Sequence, residues 1–335
     1  GIFFGLDADN LPVHLDDKEL TTHGIIFGRT GAGKTTAIFN IVRQHIRRGG
    51  GYIFIDGKSE NPTWAQFYDM MLENNREDEM FLLSFRASVE ASSNSWNFLM
   101  SGRSGQIGEM LSELALSGDA GRNQIFVDRA KQLLYALLSV ATYFRDVNKQ
   151  IITFQDLINL LKPDCLLAIL KPTKEEREEN EKTRPYARYW IPQSYVETGM
   201  STAAKDMVRN FAENIGVSPD GDVSEQQEKL FKDQHSFAAM QFGPIFNDLT
   251  NTYGSIFNTA VGDIDISDMV ANNRCMYVLL PALEKSAQSL QGLGKMVLSG
   301  VKQAAAATLG NITEGYRNSQ MVRESRKKRA RPPFL

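Results

Sequence analysis

The sequence Gly28-Arg29-Thr30-Gly31-Ala32-Gly33-Lys34-Thr35, followed by Thr36, matches GxxxxGK[ST], the pattern of a phosphate-binding P-loop. Backbone N–H groups have to wrap closely around a triphosphate, and glycine permits both the tight turn and the close approach. The helix that opens at such a loop adds a favourable partial charge at its N-terminus. We therefore expect residues 28–36 to bind the phosphates of a nucleotide.

Two side chains of this loop carry the chemistry expected of it. Lys34 should reach the β- and γ-phosphates as a point charge, and the Thr35 hydroxyl should coordinate a Mg²⁺ ion that bridges the same phosphates. The sequence thus predicts ATP and Mg²⁺ as cofactors, Lys34 and Thr35 as catalytic residues, and Thr35 as a metal ligand.

Hydrolysis also needs a carboxylate at the end of a second strand, which holds the metal through water. Asp56 follows the apolar run YIFI at 52–55, with Lys58 and Glu60 close by in sequence. However, no apolar strand in the sequence ends in an Asp-Glu pair. Either Asp56 is the catalytic carboxylate, or the usual metal-binding strand lies beyond Leu335. We favour the second interpretation, with Asp56 as a secondary contributor near the phosphates.

The segments around the loop predict a β-α-β unit. The run THGIIFG at 22–28 predicts a strand before the loop, and apolar residues at helical spacing after it predict a helix that stops at the glycines 49–51. YIFI is typical of a strand buried on both faces of a parallel sheet, and MFLLSF at 80–85 predicts a third strand. A hairpin at 1–16 precedes them all.

Helical periodicity replaces this pattern from about Gly105 to Phe257, and sheet character returns with the apolar run at 275–280. The expected fold class is α/β, a RecA-like P-loop NTPase domain with a mostly parallel central sheet, interrupted by an all-α insertion domain. The predicted boundaries are 1–104 for the first part of the nucleotide-binding domain, 105–260 for the insertion, and 261–335 for a truncated second part.

Composition excludes several classes of protein. The net charge of -3 argues against a wholly basic surface, and the two cysteines and four histidines form no disulfide or metal pattern. No apolar run approaches the roughly 18–20 residues that span a bilayer, so we expect a soluble chain. The abrupt apolar ends suggest a piece of a longer protein. We expect the basic cluster at 323–331 and the charge-dense stretch at 171–185 to be solvated, although a nucleic-acid role for the basic cluster stays open.

An ordered set of segments resembles the TraG/TraD class of type IV secretion coupling proteins, and within it the IcmO/DotL branch. The segments are THGIIFG before GRTGAGKTT, then YIFIDGKSE, NSWNFL, FGPIFNDLTNTYGSIF and CMYVLLPALEKS. They cover about the first hundred residues and residues 235–309, and the helical block between them fits by position.

This resemblance implies an ATPase ring, usually a homo-hexamer, at the cytoplasmic face of a bacterial inner membrane, tethered by N-terminal transmembrane helices that are not in this chain. It implies secretion-system inner-membrane components and adaptor proteins as partners, with effector proteins, relaxase-bound DNA or both as cargo. A neighbouring subunit would supply an arginine to the γ-phosphate. The family's Asp-Glu strand and adaptor-binding tail are not found here, so its catalytic carboxylates and cargo recognition do not carry over.

We therefore expect the cytoplasmic ATPase motor domain of a type IV coupling protein, which couples hydrolysis of Mg-ATP to recruitment and transfer of substrates. The isolated chain should hydrolyse ATP weakly or not at all, because such active sites form between subunits. Two alternatives remain: a DNA-translocating or helicase-type ATPase outside secretion, and a nucleotide-gated scaffold with little hydrolysis.

Overall fold

The computed structural model describes residues 1–16, 18–58, 61–86, 93–115, 124–170, 199–217 and 224–310. These residues divide into two compact units. The sheet unit contains the described parts of 1–94 and 264–284, with residues 304–310. The helical unit contains the described parts of 95–263 and 285–303. The domain boundaries expected at 104/105 and 260/261 stay predictions.

The regular elements of the described residues follow the order expected from the sequence, except that the strand expected at 22–28 is absent. The strands are β1 (Ile2–Leu6), β2 (Pro12–Leu15), β3 (Ile53–Asp56), β4 (Met80–Ser84) and β5 (Cys275–Leu279). The α-helices are α1 (Lys34–Arg47), α2 (Asn61–Leu72), α3 (Ser104–Ala115), α4 (Gln124–Asp146), α5 (Phe154–Leu160), α6 (Pro163–Leu170), α7 (Gly199–Asn214), α8 (Glu225–Ala239), α9 (Gly243–Asn247), α10 (Gly254–Phe257), α11 (Ile266–Ala271) and α12 (Ala287–Gly310). A π-helix, Asp248–Thr252, separates α9 from α10.

Strands from distant parts of the chain form a parallel sheet in the order β3-β5-β4. The central strand β5 is buried along its whole length, because its residues are apolar and neighbouring strands flank it on both sides. Between β4 and β5, every regular element of the described residues is helical. The predicted fold class, an α/β domain whose parallel sheet is interrupted by helices, is confirmed.

Two helices cover one face of this sheet. Val42 and Ile46 of α1 and Phe67 of α2 form a buried cluster with Tyr52 and Tyr277. Complete burial of one large apolar side chain contributes about 1.5–3 kcal/mol. The cluster therefore holds α1, and with it the loop at its N-terminus, against the sheet.

Arg76 joins the segments that enter the sheet. Its Nη1 donates to the backbone carbonyls of Ile46 at 3.2 Å and Gly50 at 2.8 Å, and its Nη2 donates to the carbonyl of Asn273 at 2.7 Å. Its Nε donates to Glu79 at 2.7 Å. A planar guanidinium can satisfy several acceptors at fixed angles, so this side chain fixes the turn after α1 and the approach to β5 together.

The prediction of a strand at residues 22–28 is wrong. Residues 23–29 form no strand, and the side chains of Ile25 and Phe27 are 76% and 87% exposed. A strand needs a neighbour to pair its backbone groups, and no strand of the described residues pairs with this segment. The apolar sequence alone therefore does not produce a strand here.

The hairpin and the helix ends agree better with the sequence. Strands β1 and β2 pair antiparallel, and the backbone of Phe3 bonds to the Gln44 side chain of α1 through 2.8 Å contacts in both directions. The sequence predicts a kink or a helix boundary at Pro244, and the structure has this proline in the first turn of α9. The sequence predicts Thr153 as a helix N-cap, and in the structure it caps α5. Its hydroxyl accepts from the Asp156 N–H, and the Asp156 carboxylate accepts from the Thr153 N–H.

The helical unit is built around α4. Its long apolar stripe includes Leu133, Leu137 and Phe144, all fully buried, and α3, α7 and α8 pack against it. Among the described residues, no helix is long and apolar enough to cross a membrane.

Candidate functional site

Two glycines give the loop at 28–33 its shape. Gly31 and Gly33 have φ angles of 81° and 82°, in the left-handed region that other residues adopt at a cost. Between them, the N–H of Ala32 donates to the carbonyl of Arg29 at 3.2 Å and closes a turn. Gly31 and Gly33, two of the three glycines in the sequence pattern, thus lie at positions where this backbone favours glycine.

The loop leads directly into the N-terminus of α1. Gly33 is the N-cap residue, no side chain caps the helix, and the first turn has no acidic residue. The first N–H groups of a helix have no partner within the helix, and here no capping side chain takes that place. An anion at this point would be bound by those N–H groups and by the partial positive charge of the helix end.

Lys34 lies back across the loop that precedes it. Its ammonium group donates to the backbone carbonyls of Gly28 at 2.5 Å and Arg29 at 2.9 Å. An ammonium has three N–H donors, so two hold the loop and one stays available to a ligand. The lysine thereby brings a positive charge to the inside of the turn and fixes the turn's ends.

The neighbouring threonines are accessible. Thr35 and Thr36 occupy the first turn of α1 and are exposed. A hydroxyl at this position can ligate a hard cation together with phosphate oxygens. Residues 28–36 thus form one continuous segment, the loop and the first turn of α1.

Asp56 occupies the carboxyl end of β3 and is only 7% exposed. Its Oδ2 accepts a hydrogen bond from the Tyr277 hydroxyl at 2.9 Å, and its Oδ1 accepts one from the Lys58 N–H at 2.8 Å. A short turn joins α1 to β3, so the two run in opposite directions. The carboxyl end of β3 and the N-terminus of α1 therefore lie at the same edge of the sheet. Parallel sheets bind ligands at this edge, where their strands end.

Tyr277 is the residue of this region that the sequence interpretation missed. It lies in the middle of the apolar run of β5, beside Phe54 of β3 in the parallel register. A signal was present, because a tyrosine inside a buried strand has to find a partner for its hydroxyl. Nothing in the residues next to Tyr277 indicated that the partner would be Asp56.

A metal held by protein groups alone has no support in the described residues. They contain no cluster of three or more His, Cys, Asp or Glu residues that could hold a metal ion. Burial raises the pKa of Cys165 to about 12 and that of Cys275 to about 11, so both thiols stay protonated. Thr35 and the carboxylate of Asp56 fit a Mg²⁺ ion that takes most of its ligands from phosphate and water. Glu60 and the basic cluster at 323–331 lie outside the described residues.

Comparisons with known proteins show similarities in sequence and in structure. Residues 2–83 match the family model described as "Helicase HerA, central domain". The chain is 30% identical over 328 residues to the type 4 coupling protein DotL of Legionella pneumophila, across 94% of this chain and 40% of DotL. The resemblance to type IV coupling proteins predicted from the sequence is therefore confirmed.

Solved structures of the bacterial conjugative coupling protein TrwB also match. An unbound form of TrwBdeltaN70 is 13% identical with a TM-score of 0.40, over 82% of this chain and 50% of that chain. TrwB in complex with the non-hydrolysable GTP analogue GDPNP is 12% identical with a TM-score of 0.41, over 82% and 51%. The chain thus spans less than two thirds of DotL and of the TrwB chains.

Proposed function

We propose that this chain is the nucleotide-binding motor part of a type IV coupling ATPase, which binds Mg-ATP and couples its hydrolysis to the recruitment and transfer of secretion substrates. The observation that carries the proposal is the shape of the loop at 28–33. Gly31 and Gly33, whose φ angles are in the left-handed region, precede a helix N-terminus that has no side-chain cap. The Lys34 side chain lies across this turn. The similarity to DotL over 94% of the chain supports the secretion context.

Each residue of the loop has a defined task in this proposal. The backbone N–H groups of Gly28, Arg29, Thr30, Gly31, Ala32 and Gly33 surround the phosphates, and those of Lys34, Thr35 and Thr36 close the cradle at the helix end. Lys34 gives its remaining donor to the β- and γ-phosphates. The Thr35 hydroxyl would ligate Mg²⁺, and the metal would supply charge neutralisation at the transferring phosphate. Asp56 contributes to the metal through water.

The properties of the whole assembly concern a longer protein, because this chain corresponds to 40% of DotL. We extend the proposal to a homo-hexamer at the cytoplasmic face of a bacterial inner membrane, with inner-membrane secretion components and adaptor proteins as partners. Its cargo is effector protein, relaxase-bound DNA or both. A trans-acting arginine and further carboxylates then complete the site between subunits, so the isolated chain binds ATP with little turnover.

The decisive test compares the wild type with Lys34→Ala in the full-length parent. In its assembled state the wild type is expected to hydrolyse ATP and transfer substrate, and the variant to lose both activities while staying folded. Absence of ATP turnover in the assembled wild type would refute the motor. Equal substrate transfer by the two proteins would exclude a motor and leave only scaffolding.

A second candidate is a DNA-translocating ATPase that works outside secretion. The match of residues 2–83 to the central domain of the helicase HerA favours it. This candidate requires DNA to stimulate turnover without any secretion component, with an affinity that falls steeply as salt rises. ATPase assays with and without duplex DNA at two salt concentrations separate it from the coupling ATPase.

A further inference from the structure

The hydrogen bond from Tyr277 to Asp56 links two strands at the carboxyl end of the sheet. The Tyr277 hydroxyl lies 2.9 Å from Asp56 Oδ2, and the ring is fully buried. The two residues are 221 positions apart in sequence, so the bond exists only when the parallel pairing of β3 and β5 has formed.

Aromatic neighbours fix the direction in which the Tyr277 hydroxyl points. The ring stacks on Phe54 with a centroid distance of 5.3 Å. It meets Trp64 and Phe67 of α2 edge to face at 5.4 and 5.2 Å. A ring enclosed in this way cannot change its orientation without disturbing the core, so its hydroxyl is a rigid donor.

The carboxylate of Asp56 is held at both oxygens. Oδ2 accepts from Tyr277, and Oδ1 accepts from the Lys58 N–H at 2.8 Å. A carboxylate has about four lone-pair sites, so it can accept hydrogen bonds from several donors at once. Asp56 is thus an oriented carboxylate at the edge of the sheet where ligands of parallel sheets bind.

We propose that Tyr277 is a positioning residue that orients Asp56 toward a water molecule of the nucleotide-bound Mg²⁺ ion. The proposal rests on the Mg-ATP site proposed above. It adds to that site a residue of β5, the strand that follows the helical segment in sequence. Removal of a residue that holds a metal-binding group by a hydrogen bond, without touching the metal, typically lowers metal affinity by about 10- to 100-fold.

Nucleotide binding to the 335-residue chain, measured with and without metal, tests this role. Titration calorimetry with ATP in Mg²⁺ buffer and in EDTA gives two affinities for each variant. Tyr277→Phe keeps the ring and removes only the hydroxyl. We expect it to weaken binding of Mg-ATP by about tenfold and to leave binding of metal-free ATP unchanged.

Tyr52→Phe is the matched control. Tyr52 belongs to the same aromatic cluster and is equally buried, but its hydroxyl lies 3.6 Å from the sulfur of Met80 rather than near Asp56. It is expected to leave both affinities unchanged. A merely structural role of Tyr277 would instead weaken binding with and without metal to the same extent, and that result would overturn the proposal.

Asp56→Asn keeps the test informative if Tyr277→Phe folds poorly, because the amide preserves an acceptor for Tyr277. It is expected to cause the same metal-specific loss, and the double variant should lose no more than Asp56→Asn alone. Additive losses, or an Asp56→Asn variant with normal Mg-ATP affinity, would refute the positioning role. A wild-type chain that binds ATP in neither buffer would refute the nucleotide site itself, and the role of Tyr277 with it.

Discussion

The ammonium group of Lys34 donates a 2.5 Å hydrogen bond to the backbone carbonyl of Gly28, six residues before it in the chain. Together with the bond to Arg29, this contact ties the start of the loop to the start of α1. The lysine therefore stabilises the loop through its own backbone contacts, and the phosphate contact proposed for it would be a second role.

Replacement of Lys34 by methionine tests this double role. The variant keeps the length of the side chain and removes its donors, so it loses a charge-assisted bond of about 1.5–3 kcal/mol to the phosphates. We expect ATP affinity to fall at least tenfold with and without Mg²⁺, as measured by calorimetry. Lys229→Met, on an exposed position of α8, is the control and should bind ATP normally. Equal affinities of the two variants would contradict a phosphate role for Lys34.

Gly33→Ala should distort the loop through its backbone alone. An added Cβ meets no atom within 4 Å, but the residue has a φ of 82°, where a side chain costs about 1–2 kcal/mol. We expect a loss of stability of this size together with weaker ATP binding. Gly105→Ala also has open space around the new methyl group, and its φ is not left-handed. It should leave stability unchanged or raise it by about 0.5–1 kcal/mol. Thermal unfolding of both variants checks the contrast.

Arg76→Lys should destabilise the sheet unit although it conserves the charge. Lysine cannot reach the carbonyls of Ile46, Gly50 and Asn273 at once, so buried acceptors lose their donors. We expect the free energy of unfolding to fall by about 2–3 kcal/mol, measured by denaturant titration. Arg43→Lys, whose ion pair with Glu73 is half-exposed, is the matched control and should cost less than about 1 kcal/mol. Similar losses for both would show that the Arg76 contacts contribute little.

The helical unit should lose stability as the pH falls below neutral, because of His235. Burial lowers the pKa of His235 from 6.5 to about 4, and its ring stacks on Phe231. Well above pH 6.5 the residue is neutral in both states. Between pH 6.5 and 4 the unfolded chain binds a proton that the folded chain excludes, so stability falls.

At pH 5 this effect amounts to about 2 kcal/mol relative to pH 7. His235→Leu removes it, whereas the titration of carboxylates stays common to both proteins. The difference in unfolding free energy between variant and wild type should therefore change by that amount from pH 7 to pH 5. A difference that does not depend on pH would show that His235 takes up a proton equally in both states.

The features that the sequence predicts well are those that depend on neighbouring residues. The glycine turn before α1, the apolar spacing of α1, the Thr153 cap and the helix boundary at Pro244 are all local, and the structure has each of them at the expected place. The phosphate-binding role of the turn stays a prediction. The strand expected at 22–28 failed because strand formation depends on a partner elsewhere, which no sequence window contains.

The Asp56–Tyr277 bond was out of reach for the same reason. Asp56 stood out as a carboxylate after an apolar strand, but nothing near it in sequence indicated its partner 221 residues away. That bond depends on β5 pairing in parallel with β3, which follows from burial of both strands and from the crossover between them. The roles of the site residues stay predictions until nucleotide binding is measured.

The sheet order β3-β5-β4 also constrains how the protein is made. Strands β3 and β4 leave the ribosome early, yet each pairs with β5, which is synthesised roughly 190 residues after Ser84. At the usual rates of translation this interval lasts on the order of 10–40 s. During that time β3 and β4 are exposed without β5, the strand that lies between them in the folded sheet. The nascent chain should therefore depend on chaperones until Leu279 has emerged.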